Sequence, residues 1–105
     1  MPQAVTIVTY LSSLVRYILP IVNDHAREAI CARVANLLRQ ERLKQKLSMT
    51  RLGERAGLSH QMISYVERKM RIPTLDTMLR ITSVLGVNLG ELIIKADRAA
   101  QNDLK

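Results

Sequence analysis

Apolar residues recur every three or four positions along most of the chain, which is the spacing of one face of an α-helix. In residues 24–46, for example, Ile30, Val34 and Leu38 fall on one face, and arginine, glutamine and lysine lie between them. After residue 23 no segment shows the sustained apolar–polar alternation that is typical of strands. The pattern therefore predicts an all-α protein.

Turn and capping residues divide this pattern into separate helices. Ser48, Ser59 and Thr74 each precede an apolar segment and can accept a hydrogen bond from its first free N–H groups. Gly57 and Gly86 can end helices because glycine adopts the left-handed conformation. With a capping box at Asn88–Glu91, these signals predict five helices. The predicted ranges are 24 to about 46, 49–56, 60 to about 69, 75–85 and a last helix that opens at the capping box and continues through residues 92–94, followed by a polar tail over residues 97–105.

The first 23 residues form a separate apolar segment, in which Arg16 is the only charge between Ala4 and Val22. Apolar residues at intervals of three and four predict an amphipathic helix that packs on the domain or on a second subunit. These residues are Ala4, Ile7, Leu11, Leu14, Ile18 and Ile21. A strand paired across a dimer is the alternative, because residues 5–10 are rich in β-branched side chains. A signal sequence or membrane span fits less well, since the segment contains polar residues and Pro20 and lacks a basic start.

The net charge of +7 lies in the middle of the chain. Residues 27–80 contain twelve basic and five acidic residues, and the remainder of the chain sums to zero. An excess of this size indicates a polyanionic partner, either nucleic acid or an anionic membrane surface.

Candidate chemistry for an enzyme or a metal site is missing from the sequence. There is no nucleophile with a base, no carboxylate pair and no glycine-rich phosphate loop. His25 and His60 are the only histidines, and Cys31 is the only cysteine and cannot form an internal disulfide. We therefore expect no catalytic activity, no metal and no cofactor, and a reducing, cytoplasmic environment.

The most informative segment is residues 52–67. Leu52 and Ala56 on one helix can be buried with Ile63 and Val66 on the next only if the two helices cross steeply, with Gly57 supplying a positive φ at the turn. This arrangement leaves hydrogen-bonding side chains on the outer face of the second helix. They are His60, Gln61, Ser64 and Tyr65.

Residues 34–93 resemble the Cro/repressor type, or Xre family, of helix-turn-helix transcriptional regulators. The matching motifs are Arg42, Leu47-Ser48, Leu52 to Ser59, Ile63 to Arg68, Pro73 to Thr77, and Leu85 to Leu92. The resemblance implies a five-helix, lambda-repressor-like domain over residues 24–96 that binds double-stranded DNA with its third helix in the major groove. It further implies a repressor that binds a palindromic operator as a homodimer. It does not reach the first 23 residues.

The same resemblance implies roles for individual residues. His60, Gln61, Ser64 and Tyr65 would face the bases, and the Gln61 amide can bond adenine N6 and N7 together. The expected contacts to the DNA backbone are Thr50, Arg51, Ser59, Arg68, Lys69, Arg71 and Thr74. Arg42 and Glu67 would form an internal salt bridge between the first and third helices. Met62, Met70 and Met78 are predicted to fill gaps in the core.

Two positions depart from the family pattern. Met49 stands where the family often has a phosphate-binding glutamine, so that contact is missing or is supplied by Thr50 or Arg51. Lys69 stands where the family usually has glycine or asparagine in a left-handed turn. Either Lys69 is strained by about 1 kcal/mol or the loop differs.

Two alternative functions remain open on the sequence. Antitoxins resemble the same domain and have a toxin protein as a principal ligand. A membrane-tethered regulator would use residues 4–22 as its anchor, although we expect no membrane association. The basic run over residues 39–46 is either an ordinary solvated helix face or a further phosphate contact.

Overall fold

The computed structural model describes residues 24–103, which form five helices and contain no strand. The helices, numbered in chain order, are α1 Asp24–Lys44, α2 Met49–Ala56, α3 His60–Glu67, α4 Leu75–Leu85 and α5 Leu89–Asp103. The predicted all-α class and the order of five helices are confirmed. The apolar segment over residues 1–23 lies outside the described residues.

Side-chain caps fix where α2, α3 and α4 begin. Ser48, Ser59 and Thr74 have extended backbone angles, and each hydroxyl oxygen accepts a hydrogen bond from the backbone N–H three residues later, at 3.0–3.1 Å. Asn88 Oδ1 accepts from the Glu91 N–H in the same way, at 3.0 Å. Each cap satisfies an N–H group that has no partner within its helix.

Helices α1 to α4 all end with the same backbone turn. One residue with φ between 58° and 71° reverses the chain, and the next N–H bonds to the carbonyl oxygen five positions earlier, at 2.8–3.1 Å. Gly57 and Gly86 make the turn after α2 and α4, whereas Lys46 and Lys69 make it after α1 and α3. Of the two outcomes that the sequence left open, Lys69 therefore takes the left-handed one, which costs a residue with a side chain about 1–2 kcal/mol.

The core lies where α2 and α3 cross and meet α4. Leu52, Ile63, Val66 and Ile81 are each no more than 2% exposed. Burying a side chain of this kind stabilises the fold by about 1.5–3 kcal/mol. The core is completed by Val34 and Leu38 from α1, Leu85 from α4 and Ala96 from α5.

Gly53 of α2 lies close to the backbone of the turn that follows the helix. A Cβ atom at this position would lie 2.6 Å from the Leu58 carbonyl oxygen, closer than van der Waals contact allows. The predicted small residue, Ala56, is also buried. The packing of α2 against the turn before α3 therefore depends on Gly53, and the buried Ala56 is a second small residue in this helix.

Helix α5 is longer than the sequence predicts, and it makes its main contact with α1. The expected polar tail from residue 97 is helical through Asp103 in the structure. The reason is that Ala96 and Ala100, one turn apart, are both fully buried. Small side chains at this spacing allow close helix contact, so the packed face continues beyond residue 96.

None of the five described helices is by itself long and apolar enough to cross a membrane. Helices α4 and α5 would meet that requirement together by length and composition, but the chain bends by 104° between them. Both helices contribute buried residues to the core, including Ile81, Leu85 and Ala96.

Candidate nucleic-acid interface

Helix α3 has one buried face and one polar face. Ile63 and Val66 lie in the core, while His60 and Gln61 are exposed and Ser64 and Tyr65 are half-buried at the surface. The four predicted base-facing side chains therefore lie on one surface of the helix. All four can donate or accept hydrogen bonds, which is the chemistry that base edges require.

The beginning of α3 is tied to α2 by a side-chain contact. Thr50 Oγ1 and His60 Nδ1 lie 3.0 Å apart, within hydrogen-bond distance. Met49 is half-buried and packs against the core, and its side chain has no group that can donate a hydrogen bond to a phosphate. Arg51 is exposed, and its guanidinium is 3.8 Å from the Glu54 carboxylate. Thr50 and Arg51 are the two residues that could contact a phosphate in place of Met49. The Thr50 hydroxyl lies within hydrogen-bond distance of His60, whereas Arg51 makes a longer contact with Glu54, so Arg51 is the more available of the two.

Tyr65 connects the middle of α3 to the loop that follows it. Its hydroxyl oxygen accepts a hydrogen bond from Gln61 Nε2, one helical turn earlier. The Arg71 guanidinium lies over the Tyr65 ring, with its central carbon 4.9 Å from the ring centroid. A cation at this distance from an aromatic face is attracted by the ring electrons. Gln61, Tyr65 and Arg71 therefore form one connected group on the surface.

Exposed cations surround the end of α3. Arg68, Lys69 and Arg71 follow one another closely in the chain and are all exposed. Thr74, the other predicted backbone contact in this loop, has its hydroxyl engaged, since it caps α4 and donates to Thr77 Oγ1 at 3.0 Å. Ser59 is engaged in the same way as the cap of α3.

Arg39 on α1 also belongs to this cationic surface, although it was not among the predicted backbone contacts. It borders the same surface depression as Arg68 and Lys69. The sequence signal that could have identified Arg39 was its position in the basic run over residues 39–46. Sequence spacing alone did not indicate which members of that run face the end of α3.

A buried ion pair supports α3 from the inside. Arg42 donates to both carboxylate oxygens of Glu67, with Nε–Oε1 at 2.6 Å and Nη2–Oε2 at 3.0 Å. Both side chains are less than a tenth exposed. The pair joins the end of α1 to the last residue of α3, which fixes the direction of the helix rather than presenting charge to a ligand.

A second surface feature is an apolar groove of about 420 Å³ between the first half of α1, the loop after α3, and α4 and α5. Ile30 and Val34 line one wall, and Ile72, Met78 and Ile93 line the other. Ile72 is 70% exposed and Ile93 is 39% exposed. Exposed apolar side chains grouped in this way are typical of protein contact surfaces.

Within residues 24–103, no group of three or more histidine, cysteine, aspartate or glutamate side chains is arranged to bind a metal ion.

Comparison with known proteins agrees with this geometry. A model of the helix-turn-helix family matches residues 38–92, slightly more than half of the chain. Two uncharacterized HTH-type transcriptional regulators of Mycobacterium tuberculosis, from strains CDC 1551 / Oshkosh and ATCC 25618 / H37Rv, are each 34% identical to the chain over 61 residues. The similarity covers 58% of this chain and 44% of each relative, so the chain matches less than half the length of these curated proteins. No solved structure matches the chain.

Proposed function

The chain belongs to the helix-turn-helix family of DNA-binding proteins, and on that premise we propose that it is a transcriptional regulator that recognises a specific double-stranded DNA sequence. One observation carries the proposal. The polar face of α3 presents four hydrogen-bonding side chains and is bordered by the exposed cations Arg68, Lys69 and Arg71. An α-helix fits the major groove, where each base pair has a distinct pattern of donors and acceptors.

The proposed surface divides into two functional parts. Gln61 reads a base, because its amide can bond adenine N7 and N6 at the same time. His60, Ser64 and Tyr65 extend the base-facing surface. The cations Arg51, Arg68, Lys69 and Arg71 contact phosphates, which positions the helix without reading sequence. Thr50, Ser59 and Thr74 support the contact to the DNA backbone mainly by fixing the helix ends that lie next to the DNA.

The experiment that tests this proposal begins with the selection of bound fragments from random duplex DNA at a stated salt concentration. Gln61→Ala should then relax specificity at one base position per half-site, by roughly 5- to 150-fold for a bidentate contact. Arg71→Ala should weaken binding to all sequences alike and lower the salt slope by about one.

Matched control variants are available on α5. Gln101→Ala and Arg98→Ala remove the same side chains at exposed positions away from α3. Arg98→Ala loses the same charge as Arg71→Ala, so it separates a local phosphate contact from a general effect of net charge. Unchanged binding and salt dependence in both Gln61→Ala and Arg71→Ala would refute the assignment of α3 and its loop.

We further propose that the protein acts in the cytoplasm as a homodimeric repressor on a palindromic operator. Two copies of α3 about 34 Å apart would read half-sites one helical turn apart. The support for a dimer is the apolar seam predicted in residues 4–22, together with the exposed side chains of Ile72 and Ile93, which line the apolar groove next to α1. Repression then needs no further activity, because a bound dimer occludes the DNA that it covers.

Deletion of residues 1–22 tests the location of the dimer interface. Sedimentation should show a dimer for the full chain and a monomer for the shortened one. A dimer that survives the deletion would place the interface elsewhere, and the last helix around Leu89, Leu92 and Ile93 would be the next candidate.

An antitoxin is the second candidate function. The observation that favours it is a group of exposed apolar residues in the loop before α4 and in its first turns, where Ile72, Leu75 and Leu79 are 70%, 65% and 47% exposed. Such a surface suits a protein partner. A toxin would be encoded by a neighbouring short reading frame, whose expression should arrest growth unless this chain is co-expressed. Rescue by Gln61→Ala as well as by the wild type would separate toxin binding from DNA reading.

A further inference from the structure

Gln61 does not stand alone on the surface of α3, because Tyr65 holds its side-chain amide. The two residues are four positions apart, so their side chains are neighbours on one face of the helix. Gln61 Nε2 donates to the Tyr65 hydroxyl oxygen. Gln61 is exposed, whereas Tyr65 is half-buried. The better anchored side chain therefore restrains the freer one.

The hydrogen bond also determines which atoms of the amide remain available. A glutamine amide has two N–H donors and one carbonyl acceptor. Tyr65 uses one donor, which leaves the other donor and Oε1. Adenine offers N7 as an acceptor and N6 as a donor, so it requires one donor and one acceptor from the protein. Gln61 can therefore bond Tyr65 and adenine at the same time.

Arg71 completes the arrangement on the other side of Tyr65. Its guanidinium carbon lies 4.9 Å from the centre of the Tyr65 ring. Attraction of the guanidinium to the ring electrons does not require all five of its N–H donors, so donors remain that can reach a phosphate. The Tyr65 ring therefore lies between a base-reading amide and a backbone-contacting cation.

We propose that Tyr65 is a positioning residue that fixes the Gln61 amide in the orientation that binds adenine. This inference rests on the proposed function. Tyr65 contributes to specificity through Gln61. A free glutamine samples both orientations of its amide and many rotamers, whereas the bonded one presents the donor and acceptor that adenine needs before DNA arrives. Preorganisation of this kind strengthens discrimination without adding a contact to the base.

The test uses Tyr65→Phe in the full chain, which keeps the ring and the Arg71 contact and removes only the hydroxyl. Affinity is measured for the selected operator and for the same duplex with guanine in place of the adenine at the Gln61 position. We expect the ratio of these affinities to fall about fivefold, the size of one net hydrogen bond. Because the substitution removes no charge, the salt slope should change by less than one.

A double-mutant comparison separates positioning from a structural role. In a Gln61→Ala background, Tyr65→Phe should have no further effect on discrimination, because the amide that it orients is gone. A loss of folding would instead lower the melting temperature and weaken every duplex, and Tyr65→Phe should do neither. The expected dependence on Gln61 is the signature of positioning.

Three results would overturn the inference. Unchanged discrimination in Tyr65→Phe would show that the hydroxyl does not orient Gln61. An equal loss of affinity for all duplexes, also in the Gln61→Ala background, would make the hydroxyl a backbone contact. Unchanged discrimination in Gln61→Ala itself would overturn the proposed role of Gln61 along with this one. The first two results would leave the proposed function intact, whereas the third would contradict the proposed role of Gln61. Failure of this inference can therefore be distinguished from failure of the proposed function.

Discussion

Arg42 and Glu67 form a two-point contact beneath the polar face of α3, with a third bond from Arg42 Nη1 to the Leu47 carbonyl oxygen at 2.8 Å. The charge of each residue is thus neutralised inside the protein, and within residues 24–103 no buried side-chain nitrogen or oxygen lacks a hydrogen-bond partner. The contact joins α1, the following turn and α3. A change in either residue should therefore affect the stability of the whole domain.

Removal of one partner should destabilise the protein strongly. Arg42→Met leaves the Glu67 carboxylate buried without a counter-ion, and a cost of about 3–5 kcal/mol in the free energy of unfolding is expected for such a change. Urea denaturation followed by circular dichroism measures it. The double variant Arg42→Met/Glu67→Leu should recover part of the loss, because no lone charge remains.

An exposed ion pair provides the matched control. Glu54 lies 3.8 Å from Arg51, and both side chains are more than half exposed. Glu54→Gln should stay within about 0.5 kcal/mol of the wild type, since exposed pairs contribute little. A comparable loss in Arg42→Met and Glu54→Gln would contradict the special role of the buried pair.

Gly53→Ala should destabilise the protein although alanine is the better helix former. The added Cβ would meet the backbone oxygen of Leu58 at 2.6 Å, and backbone atoms cannot turn aside as a side chain can. Overpacking of this kind costs about 1–3 kcal/mol. In Gly90→Ala the nearest atom is the Asn88 side-chain oxygen at 3.1 Å, which can move by a few tenths of an ångström while it caps α5, so that variant should lower the melting temperature less than Gly53→Ala. Equal melting temperatures for the two variants would argue against a tight contact at Gly53.

Lys69→Gly should raise stability and weaken DNA binding at the same time. Glycine adopts the left-handed conformation at position 69 without strain, but it loses more backbone entropy on folding than lysine does. The relief of strain is the larger of the two effects, so the free energy of unfolding should rise by about 0.5–1 kcal/mol. The variant also removes one cation from the proposed phosphate contacts, so the salt slope of binding should fall by about one.

Lys46→Gly is the control for this prediction, because Lys46 makes the same turn after α1. It should gain similar stability while its DNA affinity stays closer to that of the wild type. A stability loss in both variants would mean that the lysine side chains make favourable contacts that outweigh the backbone strain.

Ala100→Glu should unfold or strongly destabilise the domain, because Ala100 is fully buried. Glutamate at this site would be both too large and charged in an apolar contact. Gln101→Glu introduces the same side chain at the adjacent exposed position and should leave the melting temperature within a few degrees of the wild type. An equally small effect of Ala100→Glu would show that α5 ends near residue 96 in solution.

The sequence was sufficient to predict the helices wherever a local signal marks their ends. The starts of α2, α3 and α4 coincide with Ser48, Ser59 and Thr74, because each cap acts on N–H groups within three residues of itself. The end of α5 depends instead on packing between distant parts of the chain. Ala96 and Ala100 give a weak apolar signal in a polar stretch, which is why the predicted tail was wrong for residues 97–103.

The outer face of α3 also follows from the sequence, since helical periodicity separates Ile63 and Val66 from the four polar residues. Contacts that depend on side-chain geometry do not follow from it. Spacing places Gln61 and Tyr65 on one face but does not show the bond between them, and it gives no sign that the Arg71 guanidinium lies over the Tyr65 ring. Met70 was predicted to lie in the core and is 57% exposed, because it follows the left-handed turn at Lys69.

The left-handed turn that ends α3 has a consequence for the rate of the proposed DNA binding. The turn at Lys69 is held by the bond from the Met70 N–H to the Tyr65 carbonyl oxygen at 2.9 Å, so the loop that contains Arg71 leaves the helix in a fixed direction. A loop held in this way needs no further ordering when DNA binds. For the proposed binding to DNA we therefore expect association limited by diffusion and mutual orientation, at a rate set by long-range attraction between charges.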